Sequence, residues 1–291
     1  MSGRAGPRST QEIELNLLLE GIYQRYHYDF RGYASASVVR RLAQAQLHFG
    51  CRSLSMLQDR VLHDPSTLPA LLDFLTIQVS EMFRDPDYFK ALREEVVPHL
   101  RTYPSLKVWV AGCGEGEELY SLAILFREEG LEARTIFYAT DINPTALNKA
   151  EAGIYERDRI PLFTRNHRDS GGKCSLSEYY TAAYGAAMFD KTLRARTVFS
   201  QHNLVTDEVF AEMHLVSCRN VLIYFDRPLQ DRALGLFKDS LVHGGFLALG
   251  SKETLRFSRH ASEFTTHVRA ARIYRRALSK RTDKELSRAS G

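Results

Sequence analysis

Residues 108–118 of the chain read Val-Trp-Val-Ala-Gly-Cys-Gly-Glu-Gly-Glu-Glu. This stretch passes from an apolar, strand-like run into closely spaced glycines at Gly112, Gly114 and Gly116, and then into a helical pattern that continues to Glu129. Glycine lets the backbone turn tightly and approach a ligand, and the first turn of a helix presents free N–H groups. We therefore predict a strand–loop–helix unit that cradles a nucleotide-like cofactor.

The spacing of the glycines bears on the kind of cofactor. Dehydrogenases that bind a pyrophosphate use Gly-x-Gly-x-x-Gly, whereas this loop has Gly-x-Gly-x-Gly followed by Glu117 and Glu118. Two carboxylates would repel a pyrophosphate, but they suit a ligand with a cationic end such as an amino group. Asp141 follows one strand–helix unit later, where an acidic side chain can hold a ribose diol; alternatively, it caps the helix that starts near Pro144.

Strand-like and helical patterns alternate along the second part of the chain. The strand-like runs are 107–111, 135–140, 215–218 and 245–249, and the helical runs are 118–129 and 229–242. This alternation predicts an α/β fold with a doubly wound, mainly parallel sheet. Ile273 and Tyr274 could belong to a last strand near the C-terminus.

Two other segments depart from the alternating pattern. From Gln11 to about Leu100 the apolar residues recur at helical spacing, which predicts a small domain of several short helices. Between residues 156 and 199 the alternation stops, and we expect an inserted subdomain of short strands or loops there. The expected domains are therefore a helical domain with its linker at 1–100, a second domain at 101–291, and the inserted subdomain at 156–199.

Composition and charge narrow the class of protein. The chain has 291 residues, of which 44% are hydrophobic and 25% charged, which is ordinary globular usage. Its net charge of +4 is far milder than that of a dedicated nucleic-acid binder, so we expect no nucleic-acid partner. We find no apolar run long enough for a membrane span or a secretory signal, and no Cys-x-x-Cys pair. These observations predict a cytoplasmic protein with free thiols, no membrane insertion and no metal site.

Several separated blocks of sequence resemble the CheR family, the chemotaxis receptor glutamate methyltransferases. The blocks are residues 74–85 (Phe-Leu-Thr-Ile-Gln-Val-Ser-Glu-Met-Phe-Arg-Asp), the glycine loop with Tyr120-Ser121, Ala139-Thr-Asp141-Ile, Gly153-Ile-Tyr155, His202-Asn203-Leu204, residues 218–225 (Cys-Arg-Asn-Val-Leu-Ile-Tyr-Phe) and residues 244–251 (Gly-Gly-Phe-Leu-Ala-Leu-Gly-Ser). The block at 218–225 is the most specific of these, since generic methyltransferases do not carry it.

The resemblance implies a fold and a cofactor. The fold would be a helical N-terminal domain followed by a class I, Rossmann-like methyltransferase domain with a small antiparallel β-subdomain inserted in it. The cofactor would be S-adenosyl-L-methionine, with S-adenosyl-L-homocysteine as product. The implied cofactor-binding residues are Gln78, Ser80, Arg84, Gly112, Gly114, Glu117, Asp141, Asn203, Leu204, Arg219 and Asn220.

Individual roles follow from the same resemblance. Arg84 would contact the methionyl carboxylate of the cofactor and Glu117 its amino end. Asp141 would hold the ribose, and residues 203–204 the adenine. Tyr224 would face the methyl group and the incoming glutamate, so that Arg84 and Tyr224 are the implied catalytic residues.

The expected reaction is methyl transfer to glutamate side chains of methyl-accepting chemoreceptor cytoplasmic helices, which gives glutamate methyl esters in a signal-transduction pathway. A carboxylate is already ionised at neutral pH, so the protein needs mainly to align the reactants and exclude water. We expect a monomer. Two alternatives remain open: a module that binds S-adenosylmethionine or its product and signals without turnover, and a methyltransferase with a different acceptor.

The N-terminal arginines allow one more hypothesis. Arg40 and Arg41 lie in a helical stretch, and with Arg31, Arg52 and Arg60 they could form a basic face for an acidic receptor helix. A solvated helix face also explains such charges.

Overall fold

The N-terminal part of the chain is a bundle of helices. The computed structural model of the protein describes residues 9–76 and 80–277. Within the first of these ranges the helices are α1 (Thr10–Tyr26), α2 (Ser35–Phe49), α3 (Leu54–His63) and α4 (Thr67–Leu75). Ser9 and Glu12 form a reciprocal capping box at the start of α1, and the Ser53 hydroxyl caps α3. Apolar residues at helical spacing, such as Leu18 and Leu71, meet in one buried core.

Two short helices follow this bundle but pack elsewhere. They are α5 (Pro86–Ala91) and α6 (Val97–Leu100), joined by a π-helical turn at Leu92–Val96. Their buried side chains, among them Phe89 and Val96, belong to the same core as the strand residue Val108. We therefore propose a domain boundary before Pro86; the boundary expected near residue 100 stays a prediction.

A mixed sheet forms the centre of the second part. In the described part of the chain its strands are β1 (Leu106–Ala111), β2 (Thr135–Asp141), β6 (Thr197–Gln201), β7 (Met213–Cys218), β8 (Leu241–Leu249), β9 (Phe264–Val268) and β10 (Ile273–Arg276). The strand order is β6-β2-β1-β7-β8-β10-β9, with parallel pairing from β6 to β8 and antiparallel pairing of β10 with both neighbours. The predicted α/β fold with a mainly parallel sheet is thus confirmed.

Helices cover both faces of this sheet. They are α7 (Glu117–Glu128), α8 (Pro144–Ala152) and α10 (Arg227–Ser240). Trp109 of β1 is fully buried and packs against Phe237 of α10, while Val108 packs with α7 on the other face. Burial on both faces explains why the strands read as continuous apolar runs rather than as alternating ones.

The inserted segment contains a small antiparallel sheet and a helix. The sheet is formed by β3 (Ile154–Glu156), β4 (Tyr180–Ala183) and β5 (Ala186–Phe189), in the order β3-β5-β4. Between β3 and β4 lies α9 (Ile160–Asp169), which the sequence pattern did not predict. The antiparallel subdomain is confirmed, but α9 and the start of β6 are additional elements within residues 156–199.

The helical bundle contacts the sheet domain through one short segment. Tyr33 forms an isolated antiparallel bridge with Phe225, and the Ala34 N–H donates to the Tyr224 carbonyl at 2.8 Å. The Asp226 N–H donates in turn to the Gly32 carbonyl at 2.8 Å. Residues 32–34, between α1 and α2, therefore hold the loop that follows β7 in place. Across the described ranges, no helix is both long and apolar enough to cross a membrane.

Candidate active site

A cavity opens at the carboxyl ends of the parallel strands β1, β2, β6 and β7. At β1 the order of strands along the sheet reverses relative to the chain: β2 and β6 lie on one side of β1, and β7 and β8 lie on the other. Ligands of open α/β sheets bind at this kind of switch point. The lining residues are Tyr33, Arg41, Leu75, Thr76, Ser80, Arg84, Gly112, Cys113, Gly114, Glu118, Asp141, Ile142, His202, Asn203, Leu204, Arg219, Asn220, Val221, Tyr224 and Phe225.

The glycine loop forms one wall of the cavity. Gly112 has a φ of 72° and its N–H donates to the Thr140 carbonyl at 2.8 Å, so the loop turns sharply where β1 ends. A Cβ atom at Gly112 would lie 2.5 Å from Val221, and one at Gly116, whose φ is 95°, would lie 2.9 Å from Ala150. Both positions therefore require glycine.

Asp141 lies at the end of β2 and faces the same loop. Its Oδ2 accepts from the Gly114 N–H at 2.9 Å and its Oδ1 from the Asn143 N–H at 2.9 Å. Burial raises the pKa of Asp141, and these backbone donors oppose that rise. The helix cap is made by the side chain of Asn143, which accepts from Thr145 N–H at 2.8 Å. The alternative role of Asp141 as the cap of α8 is therefore not the arrangement seen.

Arg84 is presented by a strained turn. Phe83 and Asp85, on either side of it, have φ values of 52° and 58°, which non-glycine residues rarely adopt. The Phe83 N–H donates to the Ser121 hydroxyl at 2.8 Å, and α5 begins immediately afterwards at Pro86. The Arg84 guanidinium lines the cavity and has no hydrogen-bond or ion-pair partner among residues 9–76 and 80–277.

Arg219 supports this turn from the end of β7. Its Nη2 donates to the Arg84 carbonyl at 3.0 Å and to Asp85 at 2.7 Å, and its Nη1 to Glu118 at 3.3 Å. The guanidinium also stacks over the Tyr88 ring, with the central carbon 4.0 Å from the ring centroid. Arg219 is therefore engaged mainly with the protein, and it holds the backbone that carries Arg84.

The loop after β7 is held by a buried carboxylate. Glu253 is 5% exposed and accepts from the N–H groups of Gly250 at 2.6 Å, Asn220 at 3.1 Å and Ile223 at 3.3 Å. Asn220 has a φ of 62°, so this loop also contains a residue in the left-handed region. Burial raises the pKa of Glu253, and the backbone donors oppose that rise. Glu253 thus fixes the segment that leads to Tyr224.

The residues after β6 line another side of the cavity. The Asn203 side chain accepts from the Val205 N–H at 3.0 Å, and the Asn203 N–H donates to Asp207 at 2.9 Å. His202 contacts the Glu208 carbonyl through Nε2 at 3.3 Å, and its buried Nδ1 has no partner within the described ranges. Leu204 is buried and adds an apolar surface.

Most of the predicted site residues come together in this cavity. Those that line it are Ser80, Arg84, Gly112, Gly114, Asp141, Asn203, Leu204, Arg219, Asn220 and Tyr224. Glu117 does not: it is fully buried, and its Oε1 accepts from Arg159 Nη2 at 2.6 Å. Its neighbour Glu118 lines the cavity instead. Gln78 lies outside the described residues.

Sequence reasoning missed part of the lining. Tyr33 and Arg41 come from the helical bundle, far from the motifs in the chain, and no local pattern marks them as site residues. Arg41 is 5% exposed, so it does not lie on a basic surface of α2, whereas Arg40 is exposed. Two of the cysteines, Cys113 and Cys218, are buried, and burial raises the pKa of both thiols. They are therefore poor nucleophiles.

Two regions of the chain match a known family. Residues 13–76 match the CheR methyltransferase, all-alpha domain, and residues 78–270 match the CheR methyltransferase, SAM binding domain. A relative from Pseudomonas putida named putative methyltransferase Cher3 is 57% identical over 266 residues, which cover 91% of this chain and 97% of that protein. A chemotaxis protein methyltransferase from Klebsiella aerogenes is 31% identical over 248 residues, which cover 81% of this chain and 79% of that protein.

Solved structures show a weaker likeness. A SAM-dependent methyltransferase from Geobacter sulfurreducens, solved in complex with S-adenosyl-L-homocysteine, is 15% identical, with a TM-score of 0.33. The match covers 58% of this chain and 49% of that one.

The cavity offers groups whose chemistry suits S-adenosylmethionine. A carboxylate at the end of β2 suits ribose hydroxyls, and the unpaired Arg84 guanidinium suits the methionyl carboxylate. The glycine loop leaves its backbone open to the ligand because a Cβ atom is missing at Gly112 and Gly114. With both domain matches in place, the chain belongs to the CheR methyltransferase family and is an S-adenosylmethionine-dependent methyltransferase.

Proposed function

We propose that this protein methylates glutamate side-chain carboxylates on the cytoplasmic helices of a chemoreceptor. The supporting observation is the cavity that brings Arg84, Asp141 and Tyr224 together beside the glycine loop. The family match supports S-adenosylmethionine as the methyl donor, and the name of the Klebsiella aerogenes relative favours a chemotaxis protein as the substrate.

The proposed reaction needs no side chain that acts as an acid, a base or a nucleophile. S-adenosylmethionine supplies a methyl group on a sulfonium: one S–C bond breaks with its electron pair left on sulfur, and one O–C bond forms to the glutamate. The carboxylate is already ionised at neutral pH, so no proton has to be removed. The residues of the cavity act by orienting the reactants and excluding water, and good orientation can remove roughly 7 to 11 kcal/mol of barrier.

The donor would be held at several points along its length. Arg84 would grip the methionyl carboxylate with two bonds, and Ser80 would lie beside it, with Gln78 as a further predicted contact. Asp141 would accept hydrogen bonds from the ribose, and residues 203–204 would contact the adenine.

The amino end of the donor has two candidate carboxylates. Glu117 is predicted from the family resemblance, but it is paired with Arg159, and its Oε2 is buried with no partner in the described residues. Glu118 lines the cavity, where it accepts from Ser217 at 2.5 Å. We propose that the amino group lies between these carboxylates and the glycine loop, with Asn220 on the methionyl side.

A labelling experiment tests the proposal. Purified full-length protein is incubated with methyl-labelled S-adenosylmethionine and cytoplasmic receptor fragments from the same organism. We expect base-labile label on a fragment, as for a methyl ester, and loss of at least about 90% of the rate in Arg84→Ala, since a bidentate contact to a carboxylate is worth more than 1.4 kcal/mol. Arg168→Ala is the matched control, because that arginine is on the surface with 76% of its side chain exposed.

Other outcomes would point to another function. Label that resists base would indicate a nitrogen or sulfur acceptor. Tight cofactor binding without label on any fragment would favour a binding module or an acceptor of another class.

A further inference from the structure

The chain segment that leads to Arg84 is fixed by side chains from other parts of the chain. The Phe83 N–H donates to the Ser121 hydroxyl at 2.8 Å, and Arg219 donates to the Arg84 carbonyl at 3.0 Å. Both contacts come from the sheet domain, one from α7 and the other from the end of β7. Side chains that are distant in sequence therefore decide how Arg84 is presented to the cavity.

The inserted segment supplies two more contacts of this kind. Nδ2 of Asn166 on α9 donates to the Met82 carbonyl at 3.1 Å. Nη2 of Arg159, immediately before α9, donates to the Ser80 carbonyl at 2.6 Å. Met82 is fully buried, and a buried carbonyl needs a hydrogen-bond donor. The inserted segment thus binds the backbone just before Arg84.

Both of these donors are themselves held by packing. Asn166 is buried, and the ring of its neighbour His167 lies 4.8 Å from the Phe83 ring, centroid to centroid. The Arg159 guanidinium lies over the Phe163 ring, with its central carbon 4.9 Å from the ring centroid. Side chains that are fixed in this way can hold the backbone they bind in a single arrangement.

The arrangement matters because of the ligand expected at Arg84. A guanidinium grips a carboxylate best when two N–H groups meet the two oxygens, so a small displacement weakens the contact. Phe83 and Asp85, on either side of Arg84, are both left-handed, and such conformations persist only where the surroundings over-determine them. Loss of one support should therefore change how Arg84 meets its ligand.

We propose that Asn166 and Arg159 are positioning residues for Arg84 and, through it, for the methionyl carboxylate of the methyl donor. The inserted segment then takes part in donor binding, although within the described ranges it contributes no residue to the cavity lining. This role rests on the proposed contact between Arg84 and the donor carboxylate, and it is independent of the methyl acceptor.

The binding of two donors tests the proposal without any acceptor. Decarboxylated S-adenosylmethionine lacks only the carboxylate that Arg84 would grip. Calorimetric titration of the full chain gives the dissociation constants of both compounds, and wild type should bind S-adenosylmethionine at least about tenfold more tightly. In Asn166→Ala, the dissociation constant of S-adenosylmethionine should rise about fivefold or more, and that of the decarboxylated compound less than about twofold.

Matched variants control for the substitution and for folding. Asn148→Ala removes the same side chain from an exposed position of α8 and should leave both dissociation constants within about twofold of wild type. Arg159→Gln removes the second contact at a partly exposed side chain and should show the same selective loss even if Asn166→Ala does not fold. Arg159→Lys keeps a cationic donor for the Ser80 carbonyl and should recover part of the preference for S-adenosylmethionine.

A double substitution shows whether Asn166 acts through Arg84. In Arg84→Ala the carboxylate contact is already lost, so adding Asn166→Ala should change the dissociation constant of S-adenosylmethionine less than about twofold. An equal loss in both backgrounds would overturn the proposal. Equal weakening of the two donors in Asn166→Ala would also overturn it, in favour of a purely structural role. A wild-type protein that binds both donors equally would overturn it as well, because Arg84 would then not bind the carboxylate.

The titrations and the receptor-labelling experiment fail independently of each other. Selective loss of S-adenosylmethionine binding in Asn166→Ala, without label on any fragment, would retain the positioning role and reject the receptor as substrate. Label on a fragment together with an unaltered donor preference in Asn166→Ala would reject the positioning role alone.

Discussion

Single polar side chains hold the backbone of this site in unfavourable conformations. Arg219 supports the turn in which Phe83 and Asp85 are left-handed, and Glu253 supports Asn220, whose φ is 62°. Such conformations persist only where the surroundings over-determine them. The positions of Arg84 and Tyr224 therefore depend on residues that do not themselves need to touch a ligand.

Glu253 gives the most direct test of this dependence. The Glu253 Oε2 atom accepts from the N–H groups of Gly250 and Asn220, and Oε1 accepts from that of Ile223. In Glu253→Gln an NH₂ group replaces one of these oxygens, so at least one of the three N–H groups loses its acceptor. We expect unfolding free energy to fall by about 1–3 kcal/mol and kcat to fall more than the KM for S-adenosylmethionine rises. Denaturant unfolding and steady-state kinetics at pH 7 measure both.

The control for this substitution is Glu263→Gln, which removes an exposed carboxylate in the same part of the chain. It should change neither quantity appreciably. Lower stability with unaltered kcat in Glu253→Gln would mean that the loop keeps its active shape without the carboxylate.

Residues differ in how far their roles could be predicted from the sequence. The glycine loop and Asp141 have local signatures, because tight turns and strand ends restrict the residue types that fit. Arg41 and Glu253 have no local sequence signature. The residues that each of them contacts are distant in the chain, and both side chains become buried only when the bundle and the sheet pack. Glu117 and Glu118 are adjacent, so only the helix phase decides which of them lines the cavity.

At the scale of elements, a buried ionic cluster joins the inserted segment to α7. Glu128 near the end of α7 accepts from Arg93 of the π-helical turn and from the Tyr179 hydroxyl at 3.2 Å, and it lies 2.9 Å from His167 Nε2 on α9. Burial alone would raise the pKa of Glu128, but the hydrogen bond with His167 and the charge of Arg93 outweigh it and hold the pKa at about 2.

This cluster predicts a loss of stability in acid. The folded pKa of Glu128 lies below its ordinary value of 4.5, so the folded protein binds fewer protons than the unfolded chain. The stabilisation is complete above about pH 4.5 and disappears as the pH falls towards 2. We expect Glu128→Gln to lower the unfolding free energy at pH 7 by about 2–3 kcal/mol and to flatten its decline between about pH 4.5 and pH 2.

Denaturant unfolding across that pH range makes the comparison. Glu132→Gln is the control, because Glu132 pairs with Arg127 near the surface, where its side chain is 30% exposed. Its stability curve should run parallel to that of the wild type. A parallel curve for Glu128→Gln as well would show that other carboxylates cause the acid sensitivity.

The elements themselves were largely predictable, with instructive exceptions. The predicted strand at 107–111 and helix at 118–129 are observed at Leu106–Ala111 and Glu117–Glu128. The strand was recognisable because both faces of the sheet are buried, so its sequence is a continuous apolar run. The edge strand β6 has few apolar residues and was missed. The helix α9 was missed because its apolar positions are few and its surroundings suggested loops. Both elements nevertheless contact the central core, since Phe163 of α9 is fully buried in it and β6 pairs with β2.

At the scale of the whole molecule, the active site is shared between the bundle and the sheet domain. Tyr33 and Arg41 reach the cavity from one side, and the strands contribute their carboxyl ends from the other. The register of this junction is set by the bridge between Tyr33 and Phe225 and its two flanking backbone hydrogen bonds. A small shift of the bundle should therefore change the cavity without unfolding either part.

Gly32 allows such a shift to be imposed. A Cβ atom at Gly32 would lie 2.6 Å from Cδ1 and 2.7 Å from Cγ of Leu229 on α10, so in Gly32→Ala either the Leu229 side chain or the junction has to move, and we expect the junction to open. Overpacking of this kind costs about 1–3 kcal/mol. We expect the dissociation constant for S-adenosylmethionine and the KM for the acceptor to rise several-fold, with a single unfolding transition retained.

The matched control for this prediction is Gly21→Ala, the same substitution in α1 of the same bundle. Its nearest neighbour would be Gln58 Nε2 at 3.5 Å, an ordinary contact, and alanine should stabilise the helix by about 0.5–1 kcal/mol. Unaltered kinetics in Gly32→Ala would mean that Leu229 adopts another rotamer and that the junction does not set the cavity. Impaired kinetics in Gly32→Ala but not in Gly21→Ala would establish that the position of the bundle controls the active site, because both variants add one methyl group and only Gly32→Ala places it against the junction.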